Sequence, residues 1–257
     1  MCIRDSNIIG EHTDYNDGFV LPTPIDRRIW IAAKPQGGMN VSLYAADYNE
    51  RTSFQIGGIE FDEGHPWANY VIGVADAMAK RGHALGGANM AIKGDVPIGA
   101  GLSSSAAIEV AAAKAFARLF NLDINPVELA YIGKSAENDF VGVRCGVMDQ
   151  FVGSLGRSGH ALFIDCRTNQ YEHIPLDPDY RFVVVNTMVK RELTSSAYNE
   201  RRRQCEEGVR ALRKRLPDVV ALRDISGEDL ERHRLDLPDV VYRRCRHVVA
   251  ENRRVLE

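Results

Sequence analysis

The sequence predicts an α+β protein, on three observations. Short apolar runs of strand length alternate with helical stretches in the first half. A long alanine-rich helix occupies the middle, and from about residue 194 the chain turns helical and arginine-rich. At 257 residues this is enough for one large domain or two small ones. In order, Phe19 to Leu21, Ile29 to Ala33, Asn40 to Ala46 and Thr52 to Ile56 read as strands, with Asp17-Gly18 marking a turn. Pro66 to Arg81 reads as a helix with proline in its first turn, Ala88 to Lys93 as a strand, and Ser103 to Phe120 as the alanine-rich helix. Asn125-Pro126-Val127-Glu128 is a capping box opening a helix expected to run to about Asn138. His160 to Asp165 and Phe182 to Asn186 are further strand-length runs. Tyr198, Cys205, Val209, Leu212 and Leu216 share one helix face, and the arginines between them read as its solvated side. A last helix begins near Pro238, with Val241, Cys245, Val248, Asn252 and Val255 along one side. It stops at Glu257 without a C-cap glycine, which is the expectation for a chain whose parent continues.

Composition narrows the function. A 45% hydrophobic and 26% charged content fits a soluble globular protein, and a net charge of −3 gives no field to attract nucleic acid or an anionic membrane. The arginine-rich stretch is interrupted by Glu206 and Glu207, which argues against nucleic-acid binding there. No run reaches membrane-spanning length, and residues 1–20 lack the apolar core of a signal peptide. Cys2, Cys145, Cys166, Cys205 and Cys245 are scattered and never paired as CxxC. A disulfide framework or zinc site is therefore not expected, and a reducing, cytoplasmic setting is.

Three clusters carry candidate chemistry. The first is Gly99-Ala100-Gly101-Leu102-Ser103-Ser104-Ser105, between a strand and the alanine-rich helix. Its glycines permit close backbone approach, the helix start presents free N–H groups, and the serines add hydroxyls, a combination suited to phosphate. It lacks the lysine of a Walker A loop and the third glycine of a Rossmann fingerprint, and alone it is equally a serine N-cap after a flexible turn. The second comprises Glu137 and Asp149. Glu137 falls on the apolar side of its helix with Leu129, Ile132, Gly133, Ala136 and Phe140, where a carboxylate requires a cation or a basic partner. Mg²⁺ shared with a loop serine satisfies that need, as does a salt bridge. Asp149, in Cys145-Gly146-Val147-Met148-Asp149-Gln150-Phe151, is a candidate general base towards a hydroxyl, or else a structural aspartate. The third is Glu11-His12-Thr13-Asp14 before the Asp17-Gly18 turn. Interleaved carboxylates and imidazole suit sugar hydroxyls, although a polar surface turn has the same composition.

Together and in this order, the clusters resemble the galactokinase family of GHMP kinases. NIIGEHTDYNDG at Asn7 to Gly18 looks like that family's N-terminal signature, and GAGLSSSAA at Gly99 to Ala107 resembles its phosphate-binding motif. Ala136-Glu137-Asn138 and Gly146 to Phe151 resemble its metal and catalytic segments. Pro66 to Tyr70 and Ser196 to Cys205 match as well. The resemblance covers essentially residues 7–257. It implies a two-lobed GHMP kinase fold, an N-terminal α/β lobe over 7–180 followed by the start of an incomplete C-terminal α/β lobe over 181–257. It also implies ATP-dependent phosphorylation of α-D-galactose at the anomeric hydroxyl, the entry step of galactose catabolism. Glu11, His12, Thr13 and Asp14 would hold the sugar with Gly146 and Tyr198, and Asp149 would accept or orient the anomeric proton. Gly99 to Ser105 would wrap the phosphates of ATP, with Trp67 and Tyr70 on the adenine side, and Ser105 (or Ser104) and Glu137 would hold Mg²⁺. The expected partners are a small sugar and ATP, with no nucleic acid or membrane, and the chain is read as a monomer.

This sequence departs from the family pattern in two places. The family's Pro-Gly-Arg-Val-Asn run, whose arginine stabilises the transferring phosphoryl group, is not preserved. Asp5 stands at the arginine position, Arg4 lies one place off, and Met1 to Ser6 reads as a leader foreign to the family. The family's third, glycine-rich motif does not occur within the 257 residues. The expectation is therefore impaired turnover by the chain as written. The rival readings are a GHMP kinase for another sugar and a non-catalytic galactose and ATP sensor.

Overall fold

The computed structural model describes residues 2–95, 103–185 and 194–257, with side chains described from Ser6 onward and, in the third stretch, from Ala197. A five-stranded sheet in the order β1-β3-β6-β4-β5 is formed by β1 (Cys2–Asn7), β3 (Pro22–Pro35), β4 (Asn40–Ala45), β5 (Glu50–Gln55) and β6 (Ala88–Gly94). Its neighbours are antiparallel except β4 and β6, which run parallel on either side of the crossover through α1 (Asn69–Lys80). Alternation sets the faces: Val41, Leu43 and Ala45 point inward from β4 and are buried, while Ser42 and Tyr44 point away. Against the inner face pack α1 and α2 (Ser104–Leu119), closing a core that includes Val71, Ile72, Met78, Val110 and Phe116.

β3 is longer than its apolar run Ile29 to Ala33 suggests. Its first half carries Pro22, Pro24 and the charged run Asp26-Arg27-Arg28, which depress strand propensity. The ladder with β1, from Cys2 opposite Ile29 to Asn7 opposite Pro22, extends it nonetheless. Arg4 and Asp5 are consecutive in β1, with their Cα atoms paired to Ile25 and Pro24. Their side chains lie outside the described residues.

A second sheet, β2-β7-β8, consists of β2 (Phe19–Val20), β7 (His160–Asp165) and β8 (Gln170–Pro175). Val20, Leu162 and Ile164 bury against α4 (Met148–Leu155) through Phe151 and Val152, and against Ala130 of α3 (Pro126–Ser135). The Asn125 side chain caps α3 by accepting the Glu128 N–H at 2.9 Å, as the sequence predicts. Phe151 is fully buried between the edges of the Tyr131 and Tyr171 rings, at 5.9 and 6.4 Å between centroids. Phe151→Ala is expected to cost about 3–5 kcal/mol of stability in chemical denaturation; a loss below about 1 kcal/mol would contradict this role.

The third core is helical. In α5 (Thr194–Leu212), Cys205, Val209 and Leu212 face Val241, Cys245 and Val248 of α7 (Asp239–Leu256), with Leu230 of α6 (Gly227–Arg232) beside them. The two long helices meet at Gly208, where a β-carbon would overlap the Cys245 sulfur. Half-buried Tyr15, from the N-terminal signature, packs into this same core.

One expected element is absent. Phe182–Val185 forms no ladder with any described strand, and its side chains are exposed, Val183 at 83%. An isolated apolar run gains nothing from strand propensity without a partner to hydrogen-bond. Asn186, the last residue of that expected strand, lies outside the described residues.

Candidate functional site

The segment Gly10–Phe19 is a self-bonded loop. Gly10 sits at φ +108°, and a β-carbon there would meet the Phe19 carbonyl and the Val20 Cα, both at 2.8 Å, so only glycine fits. The Asn16 and Gly18 amides donate to the Thr13 carbonyl at 3.0 and 2.9 Å, and Asn16 Nδ2 donates to the His12 carbonyl at 2.8 Å. Thr13 is the correction to the expected sugar ligands. It is fully buried, with its hydroxyl 2.7 Å from the Gly10 carbonyl and 2.6 Å from the Phe19 carbonyl, so its one O–H is engaged in closing the loop and the side chain is turned away from solvent.

Several side chains of the loop gather beside Tyr198 of α5. The Tyr15 hydroxyl and His12 Nδ1 lie 2.7 Å apart. Tyr198 of α5 stands across from both, its ring centroid 5.9 Å from that of His12 and 5.4 Å from that of Tyr15. Glu11 is exposed at the rim and accepts from Asn7 Nδ2 at 3.3 Å. Asp14 lies directly against Gly146, where any β-carbon would overlap its carboxylate. The sugar-type loop and the Gly146–Asp149 segment, 132 positions apart from Asp14 to Gly146, thus form one wall.

The Gly146 segment is held from three sides. Asn138 Oδ1 accepts the Cys145 N–H at 3.0 Å, and Asn199 Oδ1 accepts the Arg144 N–H at 3.0 Å. Arg202 donates to the carbonyls of Arg144 and Cys145 at 2.9 and 3.3 Å, with its guanidinium over the Tyr15 ring. Arg202 is therefore a correction to the reading of the α5 arginines as a solvated face; Arg203 does fit that reading.

Behind this wall lies a buried acidic cluster. After Ser135, α3 widens into a π-helical turn over Ala136–Val141, a distortion frequent at functional sites, which carries Glu137 into the interior. Gln150 Nε2 donates to Glu137 Oε2 at 2.8 Å and to Glu109 Oε2 at 3.0 Å. The Cys145 thiol lies 3.2 Å from Glu137 Oε2, and the Ser105 hydroxyl hydrogen-bonds the same carboxylate. Burial, then the Glu137 charge, pushes the Glu109 carboxyl well above its ordinary range; burial likewise raises Glu137, with Asp149 adding repulsion. Tyr70 stands beside the cluster, pushed up to about 12 by burial and then by Glu137 and Glu109.

Sequence reasoning missed Glu109 and Gln150. Glu109 had a signal, since it falls on the Ala106, Val110, Ala113 stripe of α2, where a carboxylate is as anomalous as Glu137. Trp67 is half-buried against the first core and donates its indole N–H to Glu50 at 2.6 Å. Ser103, at φ +47°, leads into α2, where Ser104 and Ser105 open the helix. Gly99, Ala100, Gly101 and Leu102 lie outside the described residues.

Asp14 is raised to a pKa of about 7, first through burial and then through the Asp149 charge, with the Tyr15 amide and then Lys134 pulling the other way. The folded state thus keeps this proton up to about pH 7, whereas the unfolded chain releases it near 3.8. Stability from this group falls as pH rises through that window, and the full cost is present above it. Asp14→Asn is expected to raise the melting temperature relative to the parent, by an increment that grows between pH 5 and pH 8. An increment independent of pH would contradict the assignment.

The donor set fits a divalent cation. Glu137 and the Ser105 hydroxyl are hard oxygen ligands brought together, and among the described residues neither Glu137 nor Glu109 is ion-paired to lysine or arginine. The expected alternative, a salt bridge to Glu137, is not formed there.

The chain is similar to known proteins over most of its length. Residues 6–35 match the galactokinase galactose-binding signature, and residues 69–157 match the GHMP kinases N terminal domain. A galactokinase of Roseiflexus sp. (strain RS-1) is 49% identical over 251 residues, covering 98% of this chain and 64% of the relative. One of Chloroflexus aurantiacus is 44% identical over 250 residues, covering 97% and 64%. The chain thus spans about two-thirds, and slightly less, of the length of these curated relatives. Among solved structures, the Lactococcus lactis galactokinase complexed with galactose superposes with a TM-score of 0.95 at 34% identity, over 99% of this chain and 67% of that one.

Proposed function

The chain belongs to the galactokinase family of GHMP kinases, and we propose that it carries the site that moves the γ-phosphoryl group of ATP to the anomeric hydroxyl of α-D-galactose. The observation that carries this reading is the position of Asp149 between two sets of groups. On one side Gly146, in the same segment, lies against Asp14 of the sugar loop; on the other, the adjacent Gln150 donates to Glu137, which pairs with Ser105. A general base there would serve a hydroxyl held by the loop and a phosphate held near Ser105.

In this mechanism Glu11, His12 and Asp14, with the Gly146 backbone and Tyr198, hold the sugar hydroxyls. Asp149 accepts or orients the anomeric proton as the oxygen–phosphorus bond forms and the bond to the β-phosphate breaks, releasing ADP. The loop from Gly99 to Ser105 wraps the phosphates, with Trp67 and Tyr70 on the nucleotide side. Glu137 and Ser105 would hold Mg²⁺, which when bound neutralises phosphate charge. Most of the work is positioning, which suits a site whose side chains are fixed by buried hydrogen bonds.

Gln150 bridges Glu137 and Glu109, so Gln150→Leu is expected to weaken Mg²⁺ activation by about 10- to 100-fold while leaving galactose affinity alone. A Mg²⁺ titration of ADP release reads this, and an unchanged Mg²⁺ midpoint would contradict it. The reading as a whole is tested by ADP release with Mg-ATP against a panel of sugars, in this chain and in one extended to the length of its relatives. Turnover preferring galactose in the extended protein, and little in the 257-residue chain with Asp5 at the family's arginine position, is the expected result. Preference for another sugar would reassign the substrate, and galactose binding without ADP release would favour a sensor.

A further inference from the structure

We infer that Glu251 and Asn252 of α7 are positioning residues for the sugar loop, an assignment that rests on reading Gly10–Gly18 as that loop. Glu251 is 7% exposed, and its Oε1 accepts two successive backbone N–H groups, from Gly10 at 2.9 Å and Glu11 at 3.1 Å. Consecutive amides converging on one oxygen make a small anion nest. The left-handed turn at Gly10 belongs to this arrangement. The other carboxylate oxygen is held by Arg254, with Nε at 3.1 Å. The next residue, Asn252, fixes the opposite end of the loop: its Oδ1 accepts the Phe19 N–H at 2.8 Å. It lies so close to Gly18 that a β-carbon there would meet it at 2.6 Å. One turn earlier on the same helix, His247 Nε2 lies 2.9 Å from the Glu11 carbonyl.

The two ends of the loop are therefore gripped by adjacent residues of one helix more than 230 positions away in sequence. The grip is independent of Thr13, which closes the loop internally; of its residues, His247 also meets the loop side chains, its ring centroid 6.2 Å from that of His12. Its effect is to fix the height and tilt of the loop relative to α5 and α7, which pack against each other through Gly208 and Cys245. Tyr198 comes from α5, so the same helical unit that supplies this ring also sets the loop that carries His12 and Tyr15. An acceptor oxygen is needed at 251 because both donors belong to the backbone and persist whatever the loop sequence.

The test compares calorimetric affinities of the parent chain, Glu251→Leu, Glu251→Gln and Asn252→Ala for galactose and, separately, for Mg-ATP. Hydrogen exchange is followed in the loop peptide and in α1. For Glu251→Leu the account expects galactose affinity to fall about 10- to 100-fold, consistent with the cost of small misplacements in a preorganised site. Mg-ATP affinity should hold, and exchange should accelerate at Gly10 and Glu11 but not in α1. Glu251→Gln keeps one oxygen for both amides and should stay close to the parent, and Asn252→Ala should loosen only the Phe19 end. Parent-like galactose affinity in both Glu251→Leu and Asn252→Ala overturns the inference, as does a parallel loss of both ligands with faster exchange in α1. If Glu251→Leu does not fold, Asn252→Ala and Glu251→Gln decide the matter through loop exchange and galactose affinity. A parent chain that binds Mg-ATP but not galactose overturns the sugar-loop reading itself, and this outcome is distinct from a variant that matches its parent.

Discussion

Asp149→Asn is expected to lower the turnover of galactose by about 10² to 10⁴, the usual contribution of a positioned general base, with galactose affinity nearly unchanged. Asparagine keeps the size and one acceptor oxygen but cannot take the proton. The two residues after Asp149 are held by other contacts. Gln150 is anchored by two carboxylates and Phe151 is buried in the second core. The variant should therefore fold, bind and fail in the chemical step. It should also relieve Asp14 of one of the charges that raise its pKa, which moves the Asp14 transition towards lower pH. A variant with parental turnover would remove Asp149 from the chemistry, and one with parental chemistry but lost galactose affinity would make it a ligand only.

The second large effect is expected from a single methyl group. Gly146 is buried, and a β-carbon there would overlap the Asp14 carboxylate. One of the two must move. The Gly146 backbone is the less able, because Asn138, Asn199 and Arg202 hold the Arg144–Cys145 peptide groups from three directions. Asp14 is at the end of a side chain and yields first. Displacing a ligand by about 1 Å in a preorganised site costs on the order of 10²-fold, so Gly146→Ala should raise the galactose KM by about that factor while the Mg-ATP KM holds. Gly227→Ala, at a glycine with no heavy atom near the added carbon, is the matched control and should be neutral. Parallel loss of both KM values in Gly146→Ala would instead mean that the segment has collapsed.

Much of this was legible in the residues, for identifiable reasons. Local patterns fixed local structure. The Asn125 cap, the inward face of β4 and the stripe of Cys205, Val209 and Leu212 follow from periodicities that survive packing. Glu137 was legible because a carboxylate on an apolar face requires compensation, although the π-helical turn that delivers it was not. Glu109 obeyed the same rule and went unread, masked by the high helix propensity of its alanine neighbours. The contacts of Arg202, Glu251 and Asn252 were beyond local reading altogether. Each depends on a partner tens to hundreds of positions away, and an arginine on a helix looks the same whether it meets water or a carbonyl. The run at Phe182 failed in the opposite sense, since β propensity was present and a ladder partner among the described residues was not.

The proposed reaction places phosphate on one particular oxygen, and identification of the product is the sharpest check. The chain extended to the length of its relatives would be incubated with Mg-ATP and galactose labelled with ¹³C at C1, and the products followed by ³¹P and ¹³C NMR. The account predicts a single new phosphate ester coupled to the labelled carbon in the α configuration, formed together with ADP and absent in Asp149→Asn. Phosphate on any other hydroxyl, or ADP released without an ester at C1, would contradict it.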